Sequence, residues 1–192
     1  MLYLPEKNVF YNFVASESLS ADLNQIYTDL VNLNYFAEYG TCCIAMAVIL
    51  GHILSNMGYR ARIQSCYAKF EVGDVNFLLG YKNICRPGQI DGHAVCVIDD
   101  KYLIDFGLGN ARKSFSPQVP WAIACPLQET PDCIAQAKTQ DGLLVSWRTD
   151  WSSPAVMQEA LRLNPFLTML MKKYYDLQAQ RREVAMSSKK IA

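Results

Sequence analysis

Three side chains in this sequence have the types and the placement for nucleophilic chemistry: a thiol from the vicinal pair Cys42 and Cys43, the imidazole of His93, and the carboxylate of Asp105. In such a set the thiolate attacks a carbonyl carbon, the imidazole holds the thiol proton and later gives it to the leaving group, and the carboxylate orients the ring and stabilises its cation. Cys43 is the first candidate for the nucleophile and Cys42 the alternative. Both thiols stand at the start of a charge-free run. Thr41 is expected to cap that helix through its hydroxyl, and the first-turn amides and the positive end of the helix dipole favour a thiolate there.

The elements that must position these residues follow from patterning. From Gly40 to Met57 there is no Asp, Glu, Lys or Arg, and Ile44, Val48, Ile49, Leu50, Ile53 and Leu54 leave no polar face, so a buried central helix is expected. Its length also raises a membrane helix, which Gly40, His52, Ser55 and Asn56 and the absence of basic flanks argue against. Ala61 to Val72 is expected as a strand, turned by Gly73-Asp74 into a second strand, Val75 to Tyr81. A loop holding Pro87, Gly88 and Gly92 leads to His93. The apolar runs His93 to Ile98 and Tyr102 to Phe106 flank Asp99-Asp100-Lys101 and predict a hairpin, with His93 and Asp105 at similar heights on adjacent strands. Asp105 has a second possible role, accepting from the backbone amides of the Gly107-Leu108-Gly109 turn.

Around this centre, Leu23, Ile26, Tyr27, Leu30 and Val31 predict an amphipathic helix capped by Ser20, and residues 34–39 read as a connection. Short strands are expected at Trp121 to Cys125, Cys133 to Lys138 and Leu143 to Trp147, the last two joined across Gln140-Asp141-Gly142. Helices follow over about 153–185, opened by Ser153 and Pro154, with a fraying polar end beyond Gln180. His52 is expected as a core histidine bonded to a backbone carbonyl, Asp99 and Asp100 as solvated turn residues, and Arg112 and Lys113 as exposed loop charges.

The whole is expected to be one α+β domain. The 192 residues are 51% hydrophobic and 19% charged, with 18 basic and 18 acidic side chains, so a large core is available and no global field draws nucleic acid or an anionic membrane. The seven cysteines have no repeated spacing and only two histidines occur, which argues for reduced thiols in the cytoplasm and against a structural zinc site. MLYLPEKNVF has no basic, then apolar, signal-peptide pattern. Metal and cofactor are both expected to be absent.

Cys43 followed by Ala47, Leu50, Ile53 and Leu54, then Gly58-Tyr59-Arg60-Ala61-Arg62, then His93-Ala94-Val95 and Asp105 in that order, resembles the transglutaminase-like thiol superfamily. Tyr102-Leu103-Ile104-Asp105-Phe106-Gly107-Leu108-Gly109 is similar to the corresponding strand of the arylamine N-acetyltransferases of the same structural group. The resemblance covers roughly 40–112. It implies a papain-like core, with a cysteine helix packed on an antiparallel sheet, and a Cys43, His93, Asp105 triad. It implies a hydrolase or acyltransferase working through an acyl-thioester on a peptide, a protein side-chain amide, or a small amide or ester. Cys43 keeps the family's distance to Gly58, whereas Cys42 keeps a Gly-x-Cys spacing from Gly40. Ile44 stands where the family has an aromatic beside the cysteine, Val95 stands where Trp is frequent, and the chain is short for the third acetyltransferase domain. Two alternatives remain: a coenzyme A-dependent amine acetyltransferase, and a catalytically silent binding module of the same fold.

Overall fold

A computed structural model of the chain describes residues 17–85, 89–128, 130–139 and 141–189. Its centre is β1 (Ala61–Val72), a long strand that pairs antiparallel with three others. On one side, its first half pairs with β3 (His93–Ile98), Cys66 lying opposite His93. Its second half pairs with β7 (Leu144–Arg148) and with β2 (Val75–Leu79). With β4 (Tyr102–Asp105), β5 (Ile123–Pro126) and β6 (Cys133–Lys138), the order is β5-β4-β3-β1-β7-β6. The two ends meet where Gln128 N donates to Ile134 O at 2.8 Å, so the antiparallel sheet is nearly barrel-shaped.

Alternation along the strands sorts the core into two sides. Cys66, Ala68 and Phe70 of β1 point inward with Val95, Leu103, Cys125, Val145 and Trp147. The other face of β3 and β4, with Cys96, Ile98 and Ile104, is covered by α1 (Glu17–Asn32), α2 (Tyr35–Tyr39), α3 (Cys43–Asn56) and α6 (Leu167–Lys189). All six residues of β3 are buried; a strand covered on both faces has no place for an alternating polar residue, hence the unbroken HAVCVI run. α5 (Pro154–Leu163) packs Val156 and Ala160 on Ile44, Ala47 and Val48 of α3.

The expected mixed α+β composition holds, as do the bounds of β1, the β3–β4 hairpin, the β6–β7 pairing, and Ser153 and Pro154 as cap and first residue of α5. Asp99 and Asp100 both have positive φ, 52° and 53°, which makes the hairpin a tight turn of the primed kind. They are more than solvated turn residues: Asp99 Oδ1 accepts from Arg60 N at 3.0 Å, and Asp100 pairs with Arg62 at 3.0 Å. Gly80 and Gly92 lie back to back, and a Cβ on Gly80 would stand 2.4 Å from the Gly92 carbonyl carbon. β2 and β3 therefore follow one another along the same flank of β1.

Several boundaries move. Ser20 lies inside α1, which begins by Glu17. Residues 35–39 form a short helix, because Tyr35 and Phe36 are both core residues: Phe36 packs on Tyr27 and Phe106, and the Tyr35 hydroxyl donates to Leu170 O. The cap of α3 is Cys42, not Thr41, whose carbonyl accepts from Asn110 Nδ2 at 2.7 Å. The polar end beyond Gln180 does not fray; α6 runs on to Lys189, held where Arg181 bonds both oxygens of Asp29. The MLYLPEKNVF segment, Pro87, Gly88 and Gln140 lie outside the described residues. No described helix is long and apolar enough to cross a membrane.

Candidate active site

His93 and Asp105 meet because of the hairpin register. Cys96 opposes Ile104, so Asp105 sits one pair further on and diagonal to His93, on the same inward face; diagonal neighbours are within reach for side chains of this length. His93 Nε2 and Asp105 Oδ2 are 2.6 Å apart and both residues are fully buried. Oδ1 accepts from the Gly107 amide at 2.8 Å, so both roles foreseen for Asp105 are present on one carboxylate.

A third donor was not foreseen. Trp147 Nε1 donates to Oδ2 at 2.7 Å from β7, on the far side of β1. Ala68 is the β1 residue opposite Trp147 and Cys66 the one opposite His93; these small side chains leave the barrel interior open for the indole to cross. Nothing local to Trp147 in the sequence marks this contact, which depends on the pairing of strands far apart in the chain.

Cys43 arrives from outside the sheet as the first residue of α3. Its position is set by Gly107: a Cβ there would stand 2.6 Å from Cys43 Cα and 2.7 Å from its Cβ, so only glycine lets the aspartate strand pass this close to the cysteine. Gly109 N donates to Gly40 O at 2.9 Å and locks the two segments together just beyond. Cys43 is half-buried, the one member of the set that solvent reaches. Of the first-turn amides of α3, those of Ile44 and Ala45 lie against the Cys42 thiol, and the Cys43 N–H has no acceptor within the helix.

The electrostatics link the three groups. Burial alone would push the His93 imidazole down, but the charges of Asp105 and then Cys43 outweigh it and raise it to about 10. Nδ1 is buried and has no partner at regular hydrogen-bond geometry; Cys43 acts on the ring through charge first and through a weaker hydrogen-bonding contact second. With Nε2 committed to Asp105, Nδ1 is the nitrogen available to the thiol. Burial raises the thiols of Cys42, Cys66, Cys85, Cys96, Cys125 and Cys133. Cys42, at the cap position, is exposed and is not among the groups that shift His93.

Other candidates fall away from the site. His52 is not a core histidine bonded to a carbonyl: it is half-buried, and Nε2 meets the Tyr175 hydroxyl and Asn56 Nδ2, the latter at 3.0 Å. Arg112 and Lys113 are not on a loop but in a short helix, α4 (Gly109–Ser114), and the Arg112 guanidinium donates to Val119 O and lies 4.7 Å over the Trp121 ring. A hollow of about 680 Å³ opens at the other end of the barrel, beside Arg62, Asp100 and Lys101, and includes none of the three residues. No protein-family model, no curated protein and no solved structure matches this chain, so what the site does must be argued from these residues.

Proposed function

We propose that Cys43, His93 and Asp105 form the catalytic centre of a cysteine hydrolase or acyltransferase that cleaves an amide or ester through an acyl-thioester. The observation that carries this reading is the histidine held at Nε2 by a buried carboxylate while the partly exposed thiol of Cys43 acts on the same ring. The Cys43 sulfur attacks the carbonyl carbon and forms the C–S bond, while the carbonyl π electrons move onto oxygen. The Cys43 N–H, at the positive end of the helix, serves as donor to that oxyanion. Collapse of the oxyanion breaks the bond to the leaving nitrogen or oxygen, which takes its proton from His93 Nδ1. Water or an amine then attacks the thioester, passing its proton back to His93 and freeing Cys43.

A cysteine opening a buried helix, packed against an antiparallel sheet that carries the histidine and aspartate, also supports a papain-like core of the transglutaminase-like kind. The seven free thiols support a reducing compartment such as the cytoplasm. Site-resolved alkylation with iodoacetamide across pH tests the proposal. Cys43 should react faster than Cys42 and Cys85 at neutral pH, although Cys42 is the more exposed. If Cys43 is no faster than Cys42 at any pH, the site holds no activated thiolate.

A further inference from the structure

We propose that Trp147 is a positioning residue of this centre: its indole N–H holds Asp105 as the oriented anion that fixes His93. The inference rests on the catalytic reading above. Asp105 is fully buried, and its two oxygens receive three donors, His93 Nε2 and Trp147 Nε1 on Oδ2 and Gly107 N on Oδ1. A carboxylate so enclosed has no water to turn towards, so its orientation is that of its fixed donors. Gly107 N and Trp147 Nε1 are the two donors that do not titrate, and together they define the plane of the carboxylate and leave one direction for the histidine. Indole is a donor only. It can therefore bond the anion of Asp105 but cannot accept from a protonated carboxyl, which sets it apart from a hydroxyl or an amide in the same place.

Rigidity follows from packing. Trp147 is fully buried and is the largest such side chain among the described residues; it sits among Phe70, Val145, Ala135 and Cys66 inside the barrel. Such a ring cannot leave without opening the core, so the N–H stays on target at no further conformational cost.

Trp147→Phe keeps the ring and most of the packing and removes the N–H. Without it the dry carboxylate loses a charge-assisted bond worth on the order of tenfold in an equilibrium, and with it one of the two fixed donors that aim Oδ2 at His93. The pH at which Cys43 becomes reactive to iodoacetamide should then rise by about one unit, in the same direction as in Asp105→Asn and by less. Val145→Ala, a packing change on the same strand, should lower the unfolding temperature and leave that profile in place. An unmoved or acid-shifted profile in a folded Trp147→Phe protein overturns the proposal. Should Trp147→Phe fail to fold, Trp147→Met, which likewise carries no donor, is read in its place, with the same shift expected and an unmoved profile overturning the proposal. Asp105→Asn measured alongside separates the two claims: no shift there removes the triad itself, whereas a shift there without one in Trp147→Phe removes only Trp147.

Discussion

Two aspartates in this protein are completely buried, and they are used differently. Asp29 on α1 is clamped by Arg181 of α6 through both oxygens, with Gln25 and Gln178 beside it. Asp105 is met by an imidazole, an indole and a backbone amide. The partner of Asp29 is permanently charged and its side chain is 42% exposed, so the pair is a tether between two helices with one foot in water. The main partner of Asp105 can gain and lose its proton, and no part of that pair touches solvent. A buried carboxylate facing guanidinium stores a contact; one facing imidazole stores a proton equilibrium.

The largest expected difference lies in turnover. Asp105→Asn should keep the fold yet lower turnover on any amide or ester substrate by on the order of 10⁴, the size of the corresponding loss in a serine triad. Cys43 alkylation near neutral pH should fall with it; an unchanged rate would reduce Asp105 to a cap on the Gly107 turn. The converse change is Arg181→Ala, which strands the Asp29 charge. It should cost about 3 kcal/mol by denaturant titration, the low end for breaking a buried pair because Arg181 is partly solvated. Cys43 reactivity should not move, and if it does, the two regions are coupled and the contrast between them fails.

The smallest effect sharpens the contrast by pH. His93 is raised to about 10 by Asp105 and Cys43. Its contribution to stability is therefore fully present below the ordinary histidine value of about 6.5 and is lost as pH rises towards its folded value. Cys96 and Cys125, both pushed up to about 12 by burial, add a loss of the same sign, but only above the ordinary thiol range. Between about pH 6.5 and 8.5 the decline belongs to His93 and should not exceed about 1.4 kcal/mol per pH unit. Unfolding measured across that window should show the slope in the native protein and in Arg181→Ala, and a flatter line in Asp105→Asn. Equal slopes in all three would detach His93 from Asp105.

What could be read from the sequence was local. The β1 limits, the turn at Asp99-Asp100 and the opening of α5 at Ser153-Pro154 are each set by residues within a few positions, and patterning finds them. The closeness of His93 and Asp105 follows from one short hairpin. What patterning could not show depends on distant partners. Tyr35 and Phe36 are helical because a core lies beneath them, α6 continues past Gln180 where Arg181 finds Asp29, and Trp147 meets Asp105 across a strand that belongs to neither. His52 and Arg112 were misplaced for the same reason, their partners Tyr175, Val119 and Trp121 being supplied by the tertiary fold.

The central place of β1 sets an order of events in the making of the protein. Its second half can pair with β2 at once and its first half with β3 as soon as residue 98 is available, but its far edge must wait for β7, since Phe70 opposes Val145. Closing so long a loop carries a high entropic cost before any contact rewards it, which makes it a slow step. A chain emerging from synthesis thus carries Cys43, His93 and Asp105 well before it carries Trp147. If Cys43 is the nucleophile proposed above, it stays dormant for as long as the barrel is open, and its reactivity to iodoacetamide marks completed folding.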